Sequence, residues 1–290
     1  MTAEPLDSMP PPLPVVVFAP SLKGIYLASL AIAAGASLVS LWGLGFGGSI
    51  YPSQELREAF VPNDAATLLV GVPLLVGSMW LAWRGWLLGL LAWPGALLYM
   101  LYNFLAYALA MPVGLPILVH LCLVSASLYA TLGLLSGIDA RAVQRRLVGA
   151  VSERLAGAVL IALGLLFLTS VLGAIGAAVL NQTAIPEIEL AVHTADFLIA
   201  PAWVIAGTLL LRRSAIGYVA GLGLLIQGSM LFVALAVLIL LQPGLTSVPL
   251  MLGDLAVVLA MGLVCFVPTG LFIRGVVRES TPRELLRTAR

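Results

Sequence analysis

The chain has 290 residues, of which 61% are hydrophobic and only 9% are charged, and its mean hydropathy is +1.12. Soluble proteins carry roughly 45–50% apolar and about 25% charged residues, so this composition excludes a soluble globular protein and predicts an integral membrane protein. The net charge of +1 gives no indication of nucleic-acid binding. The two cysteines, Cys122 and Cys265, form no CxxC pair, which argues against a thiol redox enzyme and a disulfide framework.

Eight segments are long and apolar enough to span a membrane, so the expected fold is an all-α, polytopic membrane protein. A spanning helix needs about 20 mostly apolar residues to cross a hydrocarbon core of about 30 Å. Most connections are short, apart from the segments 47–64 and 139–154. The predicted spans are 24–46, 65–83, 86–110, 116–138, 155–180, 188–211, 215–241 and 248–273.

Three segments lie outside the spans and are predicted to be cytoplasmic. Residues 1–22 are a Pro-rich tail that carries Glu4 and Asp7 but no basic residue, which is unlike a signal peptide. Residues 139–154, DARAVQRRLVGAVSER, form a basic connection with the pattern of an amphipathic helix at the membrane surface. Residues 275–290 form a basic tail.

The distribution of basic residues predicts the orientation in the membrane, because cytoplasmic loops retain Lys and Arg. With the N-terminus inside, both termini are cytoplasmic and only Arg57 lies on the outer side. The bases on the cytoplasmic side are then Lys23, Arg84, Arg141, Arg145, Arg146, Arg154, Arg212, Arg213, Arg274, Arg278, Arg283, Arg287 and Arg290.

An offset of 128 residues superposes the two halves of the chain. It places Pro73 on Pro201, Arg84 on Arg212, and Gly89 on Gly217. The pattern predicts two four-helix units, 23–138 and 155–274, in the same orientation, because four spans return the chain to its starting side. Parallel repeats of this kind occur in transporters, with substrate sites at the repeat interface.

Polar residues within the spans are predicted to share one depth. Counted from the cytoplasmic arginines at about 1.5 Å per residue, they lie roughly 24–30 Å from the inner boundary, and one of them, Gln227, lies deeper. Because ionisable groups in hydrocarbon are costly, such side chains usually face the bundle interior or water. The sequence therefore predicts a polar pocket that opens to the outside, with the candidate lining residues Asp64, Tyr99, Asn103, His120, His193, Asp196, Gln227 and Asp254.

The predicted outer side is acidic, which favours a cationic ligand. Its seven acidic residues oppose only Arg57, for a net charge of −6 with the histidines neutral. Asp196 and Asp254 have no Lys or Arg within the spans to neutralise them. A small polar or cationic solute would be attracted to this mouth. The alternative is that the positive-inside bias alone removed bases from this side.

Zinc is a candidate cofactor, since imidazole and carboxylate are its usual ligands. The candidate ligands are His120, His193, Asp196 and Asp254. His193 and Asp196 are spaced i, i+3 and share a helix face, but the chain has no HExxH motif. A His–Asp hydrogen bond that only stabilises the bundle is the alternative interpretation.

The stretches AVHTADFLIAP, LLRRSAIGY and LLYMLYNFLAYAL resemble a broad group of uncharacterised bacterial membrane proteins with about eight predicted spans. The resemblance implies the architecture and a bacterial cytoplasmic (inner) membrane. It implies no activity, cofactor or substrate.

The leading functional hypothesis is the binding or transport of a small polar or cationic solute in the outward-facing pocket. A second hypothesis is a membrane-embedded enzyme, metal-assisted or using His/Asp acid–base chemistry, that acts on a lipid or isoprenoid from the outer leaflet. A third is a structural or assembly subunit. The expected partners are the lipid bilayer and the ligand, without nucleic acid, and no feature indicates an oligomeric state.

Overall fold

The computed structural model describes residues 22–280, and its elements are helices. Residues 1–21 and 281–290 lie outside this range, and with them nearly all of the predicted Pro-rich tail and the end of the predicted basic tail. The helices are α1 Leu22–Ile50, α2 Gln54–Ala66, α3 Val72–Trp83, α4 Leu87–Ala110, α5 Leu115–Gly137, α6 Ala140–Leu147, α7 Glu153–Asn181, α8 Glu187–Leu211, α9 Ala215–Leu245 and α10 Leu252–Ser280, with a π-helical turn at Thr67–Gly71 between α2 and α3.

Within the described range, eight helical segments are long and apolar enough to cross a membrane, counting α2, the π-helical turn and α3 as one. This confirms the predicted all-α membrane protein. Large apolar side chains such as Leu38, Trp83 and Leu180 are exposed on the outside of the bundle. A surface of this kind is suited to contact with lipid chains rather than water.

The second span begins earlier than the sequence pattern predicts. The segment 47–64 was expected to be a connection, but α1 continues to Ile50 and α2 begins at Gln54. Ser53 caps α2 by accepting a hydrogen bond from the Leu56 amide. Because α2 packs against α1 and α9, its polar residues find partners inside the bundle. Hydropathy alone misses such a helix.

The basic connection between the two halves contains the short helix α6. The Asp139 side chain caps it by accepting from the Ala142 amide, and Arg145 and Arg146 lie in its last turn. Its apolar residues Val143 and Leu147 are fully buried, and α6 packs against α9. The predicted amphipathic helix is therefore present, with its apolar side against the protein.

The turns α3–α4 and α8–α9 have the same hydrogen-bond pattern. Each contains one residue in the left-handed region, Gly85 with φ 82° and Arg213 with φ 54°. Each donor and acceptor in the second turn follows its counterpart in the first by 128 residues. In the first turn, the amides of Arg84, Gly85 and Trp86 donate to the carbonyls of Trp80, Ala82 and Leu81, respectively. In the second turn, the amides of Arg212, Arg213 and Ser214 donate to the carbonyls of Thr208, Leu210 and Leu209, respectively. We call the end of the bundle formed by these turns and α6 the arginine-rich end.

The helices α4 and α9 cross at the centre of the bundle with their backbones in contact. A Cβ atom on Gly95 would overlap the carbonyl of Gly223, and one on Gly223 would lie 3.2 Å from the Gly95 nitrogen. Small residues permit such close helix packing in membranes. The neighbouring helices are arranged similarly around this crossing, since α2 packs on α9 and α8 packs on α4.

Candidate functional site: a polar-walled cavity at the helix crossing

A cavity of about 460 Å³ lies among α2, α4, α7, α8 and α9, and we call it the central cavity. Its walls come from the first half of α8 and the second halves of α4 and α9, so it lies in the half of the bundle away from the arginine-rich end. Its apolar lining is Ala59, Phe60, Ala106, Phe167, Ile188, Val192, Leu231, Phe232, Ala234, Leu235 and Leu238. Its polar lining is Asn63, Tyr99, Tyr102, Asn103, Asp196 and Gln242.

Among the described residues that line the central cavity, Asp196 is the one carboxylic acid, and none is Lys, Arg or His. It is only 8% exposed, and its Oδ1 atom accepts a hydrogen bond of 2.8 Å from the Tyr102 hydroxyl. Its Oδ2 atom has no hydrogen-bond partner among residues 22–280. A carboxylate can accept about four hydrogen bonds, so Asp196 retains unused capacity toward the cavity.

Two amides, one from α2 and one from α4, are hydrogen-bonded to each other in the polar lining. The Asn63 amide donates to Asn103 Oδ1 over 2.9 Å, and Asn103 Nδ2 donates to the Thr67 hydroxyl over 3.0 Å. Thr67 begins the π-helical turn, which ends at Gly71. A Cβ atom on Gly71 would lie 2.7 Å from Tyr99 Cε1, so glycine leaves room for the Tyr99 ring. π-helical turns are frequent at functional sites.

Aromatic rings supply much of the remaining wall. Phe60, Phe167 and Phe232 line the cavity together with Tyr99 and Tyr102. The Tyr99 hydroxyl makes no hydrogen bond within the described part of the chain. The cavity thus combines one carboxylate, neutral hydrogen-bonding groups and aromatic faces, which is a suitable lining for an amphipathic organic ligand.

Of the predicted pocket residues, Tyr99, Asn103 and Asp196 line the central cavity. His193 lies one turn before Asp196 on α8, but its Nε2 atom is 3.3 Å from Glu189 Oε1. Gln227 is buried next to the crossing of α4 and α9, where it accepts a 2.8 Å hydrogen bond from Trp203 Nε1. Its Nε2 atom is unpaired in the described chain. Asp254 is exposed at the start of α10.

Asp64 and His120 occupy a separate cluster behind Phe60. Asp64 is 1% exposed and accepts hydrogen bonds from the Tyr51 hydroxyl at 2.6 Å and the Tyr107 hydroxyl at 2.9 Å. Burial and the adjacent Asp64 raise the pKa of the Tyr51 phenol well above its ordinary value, so Tyr51 remains a donor. His120 stacks on Phe104 and lies against Tyr107, with ring centroids 5.8 Å and 4.9 Å apart. Asp64 and His120 were predicted to lie at the same depth as Asp196, but they do not line the central cavity with it.

The four candidate zinc ligands are not brought together. His193 contacts Glu189, His120 contacts aromatic rings, Asp196 bonds Tyr102, and Asp254 is exposed. Between residues 22 and 280 there is no group of three or more His, Cys, Asp or Glu side chains that could hold a metal ion.

The candidate set of the sequence analysis lacks several polar contributors to these two sites, including Tyr51, Asn63, Thr67, Tyr102 and Tyr107. Tyr51, Asn63 and Thr67 belong to the start of the second span, where the pattern suggested a connection. The helix signal there is Ser53 at the N-cap with Glu55 in the first turn. Tyr102 directly precedes Asn103 on α4, and no spacing rule identifies its partner on α8.

Comparisons with protein-family models, curated proteins and solved structures gave no match.

Proposed function

We propose that this protein binds a small organic cation, or another small polar solute with a cationic group, in the central cavity. The observation that carries the proposal is Asp196, a carboxylate that is 8% exposed and lines a cavity whose described lining residues include no Lys, Arg or His. An isolated carboxylate in such a place is costly, and a bound cation would offset this cost.

The lining also suits the apolar part of such a ligand. The faces of Tyr99, Tyr102 and Phe60 border the cavity, and aromatic faces attract organic cations within about 6 Å of the ring centroid. The apolar residues of α9, such as Leu231 and Phe232, would hold the hydrocarbon portion. A volume of about 460 Å³ is within the range of small-ligand pockets, roughly 300–1,000 Å³.

The charge distribution supports an orientation in which the solute enters from outside the cytoplasm. Arg84, Arg145 and Arg212 lie at the arginine-rich end, whereas Arg57 lies at the opposite end, on α2. The positive-inside rule assigns the arginine-rich end to the cytoplasm. On this proposal, the central cavity belongs to the outer half of a protein in a bacterial cytoplasmic membrane.

The matching halves support two parallel four-helix repeats with the cavity at their interface. The 128-residue offset pairs Gly95 with Gly223, and these two residues are in direct contact. It also pairs positions that both line the cavity, namely Phe60 with Ile188, Asn103 with Leu231, and Ala106 with Ala234. A pseudo-two-fold axis through the helix crossing would account for both observations.

Binding is the core of the proposal, and transport would require a further movement. On the cytoplasmic side of the cavity, α4 and α9 are in contact at Gly95 and Gly223. The buried rings of Trp93 and Trp203 fill neighbouring space. A solute could cross only if this crossing opened.

A matched pair of probes tests the proposal. Benzyltrimethylammonium is cationic, and neopentylbenzene has nearly the same shape without the charge. We expect the purified protein in lipid nanodiscs to bind the cation in a saturable manner, measured by tryptophan fluorescence, and to discriminate against the neutral isostere by about tenfold or more.

Asp196→Asn should abolish this discrimination, because it retains the shape and removes the charge. Asp254→Asn is the control, since Asp254 is an exposed carboxylate at the same end of the bundle. Equal binding of both probes by the unmodified protein, or unchanged discrimination in Asp196→Asn, would refute the proposal. An effect of Asp196→Asn on stability alone would favour a structural subunit.

A further inference from the structure

Asp64 lies in a buried cluster, and its hydrogen-bond partners within the described chain are hydroxyl groups. Tyr51 and Tyr107 donate to its two oxygens, and the Tyr107 hydroxyl also lies 3.3 Å from the Phe60 carbonyl. The completely buried hydroxyl of Ser40 on α1 faces the same carboxylate. The oxygens in this cluster are Asp64 Oδ1 and Oδ2, Tyr51 Oη, Tyr107 Oη, Ser40 Oγ and the Phe60 carbonyl.

The two hydroxyl donors stabilise the ionised form of Asp64. The Tyr51–Asp64 distance of 2.6 Å lies in the range of a hydrogen bond from a hydroxyl to an anionic oxygen, roughly 2.5–2.7 Å. A buried negative charge needs a positive partner, because its desolvation is not repaid by hydroxyl donors alone.

Among residues 22–280, no basic side chain pairs with Asp64. Arg57 lies nearby on α2, but its guanidinium donates to the Tyr51 carbonyl over 3.1 Å. His120, on α5, is 1% exposed and contacts the cluster through the Tyr107 ring, and neither of its ring nitrogens has a hydrogen-bond partner in the described chain. Gly43 of α1 also packs against the carboxylate, since a Cβ atom there would overlap Asp64 Oδ2. The charge therefore faces oxygens, aromatic rings and backbone.

We infer that the Asp64 cluster is a binding site for a small monovalent metal cation of the Na⁺ type. Hard cations prefer carboxylate, carbonyl and hydroxyl oxygens, and this cluster offers all three. Each phenol can donate its proton to the carboxylate while an oxygen lone pair faces the ion. The Ser40 hydroxyl, which faces Asp64, would supply a further oxygen ligand.

The position of the cluster links the ion to the central cavity. Asp64 lies on α2 next to Asn63, which lines the cavity, and Phe60 contributes its ring to the cavity and its carbonyl to the cluster. Tyr107 follows Asn103 by one turn on α4. A bound ion would hold α2 against α4 and so stabilise the cavity wall. This coupling rests on the proposed function, whereas the ion site itself does not.

Thermal unfolding of the full chain in lipid nanodiscs tests the ion site without any solute. Chloride salts of Na⁺, K⁺ and N-methyl-D-glucamine are compared at equal ionic strength and neutral pH. We expect Na⁺ to raise the midpoint of unfolding in a saturable manner, because a ligand that binds only the folded state stabilises it. N-methyl-D-glucamine, which is too large for the cluster, should have no such effect.

Three variants test whether the effect of Na⁺ on the midpoint of unfolding arises at the Asp64 cluster. Asp64→Asn should remove the Na⁺ dependence, and Asp254→Asn should retain it. If Asp64→Asn does not fold, Tyr107→Phe keeps the charge and removes one oxygen, and it should weaken the apparent Na⁺ affinity by about tenfold.

The inference fails if the unmodified protein shows no saturable Na⁺ effect, or if Asp64→Asn or Tyr107→Phe leaves that effect unchanged. It also fails if stability responds to pH but not to Na⁺ and this response is lost in Asp64→Asn, since Asp64 would then hold a proton. Asp196→Asn should keep the Na⁺ effect, so a failure of solute binding and a failure of the ion site are distinguishable.

Discussion

Tyr102 of α4 donates a 2.8 Å hydrogen bond to Asp196 of α8, and this contact joins the two halves of the chain across the central cavity. The donor is half-buried and the acceptor is 8% exposed, so water competes little for either group. A hydrogen bond to a charged group contributes about 1.5–3 kcal/mol in such a setting. The same bond occupies only Oδ1, and Asp196 Oδ2 has no hydrogen-bond partner among residues 22–280.

A double-mutant cycle should detect the Tyr102–Asp196 bond. Tyr102→Phe and Asp196→Ala are each expected to lower the free energy of unfolding, with a coupling of about 1–2 kcal/mol, because either change removes the same interaction. The measurement is reversible unfolding in mixed detergent micelles. Tyr129→Phe is the matched control, since Tyr129 is exposed on the bundle surface, and it should change stability by less than about 0.5 kcal/mol. Additive single effects would contradict the expectation.

The glycine contact between α4 and α9 should tolerate no side chain. Gly95→Ala places a methyl group on the Gly223 carbonyl and is expected to lower the free energy of unfolding by about 1–3 kcal/mol, the usual effect of overpacking. Gly173→Ala provides the control, because nothing lies within 4 Å of the added atom. That control should be neutral or slightly stabilising, since alanine has the higher helix propensity. Equal effects of the two substitutions would show that the crossing is not tight.

Glu153 should stabilise the arginine-rich end through hydrogen bonds more than through its ion pair. Its Oε1 atom accepts from the Tyr218 hydroxyl at 2.7 Å and the Gly149 amide at 3.0 Å, while Oε2 lies 3.4 Å from Arg213. Glu153→Ala is expected to lower the free energy of unfolding by about 1–3 kcal/mol, because the buried Tyr218 hydroxyl loses its acceptor. Glu153→Gln keeps that acceptor.

Reversible unfolding in detergent compares the two Glu153 variants. Glu153→Gln should cost roughly half as much as Glu153→Ala or less, since Arg213 is largely exposed and its pairing is screened. Glu187→Ala, at an exposed position in the first turn of α8, is the control and should be close to neutral. A larger loss for the glutamine variant would assign the stability to the charge pair instead.

Cysteine labelling tests the proposed orientation. In a Cys122→Ser and Cys265→Ser background, Ser247→Cys is placed in the exposed loop at the end opposite the arginines, and Arg145→Cys on α6. A membrane-impermeant maleimide applied to intact bacterial cells should label Ser247→Cys, whereas Arg145→Cys should react only after permeabilisation. The reverse result would invert the proposed topology and place the central cavity in the cytoplasmic half.

The number of spans followed from the sequence because the requirement is local. A segment that crosses lipid must satisfy its own backbone hydrogen bonds and be apolar over about 20 residues, and both properties can be read from a window of the chain. The exception was the second span, which begins earlier than the sequence pattern predicts. Its first turns carry Glu55, Glu58 and Asp64, which reduce hydropathy, yet contacts with α1 and α9 keep them helical.

The partners of the polar residues were decided only by the tertiary structure. Counting along each helix estimated the depth of Asp64, His120, Asp196 and Asp254, but depth is a single coordinate. Which way each residue faces depends on helix rotation and tilt, and these follow from packing between distant segments, such as the backbone contact of Gly95 with Gly223. For this reason Asp196 lines the central cavity, Asp64 lies in the oxygen cluster behind Phe60, and Asp254 is exposed.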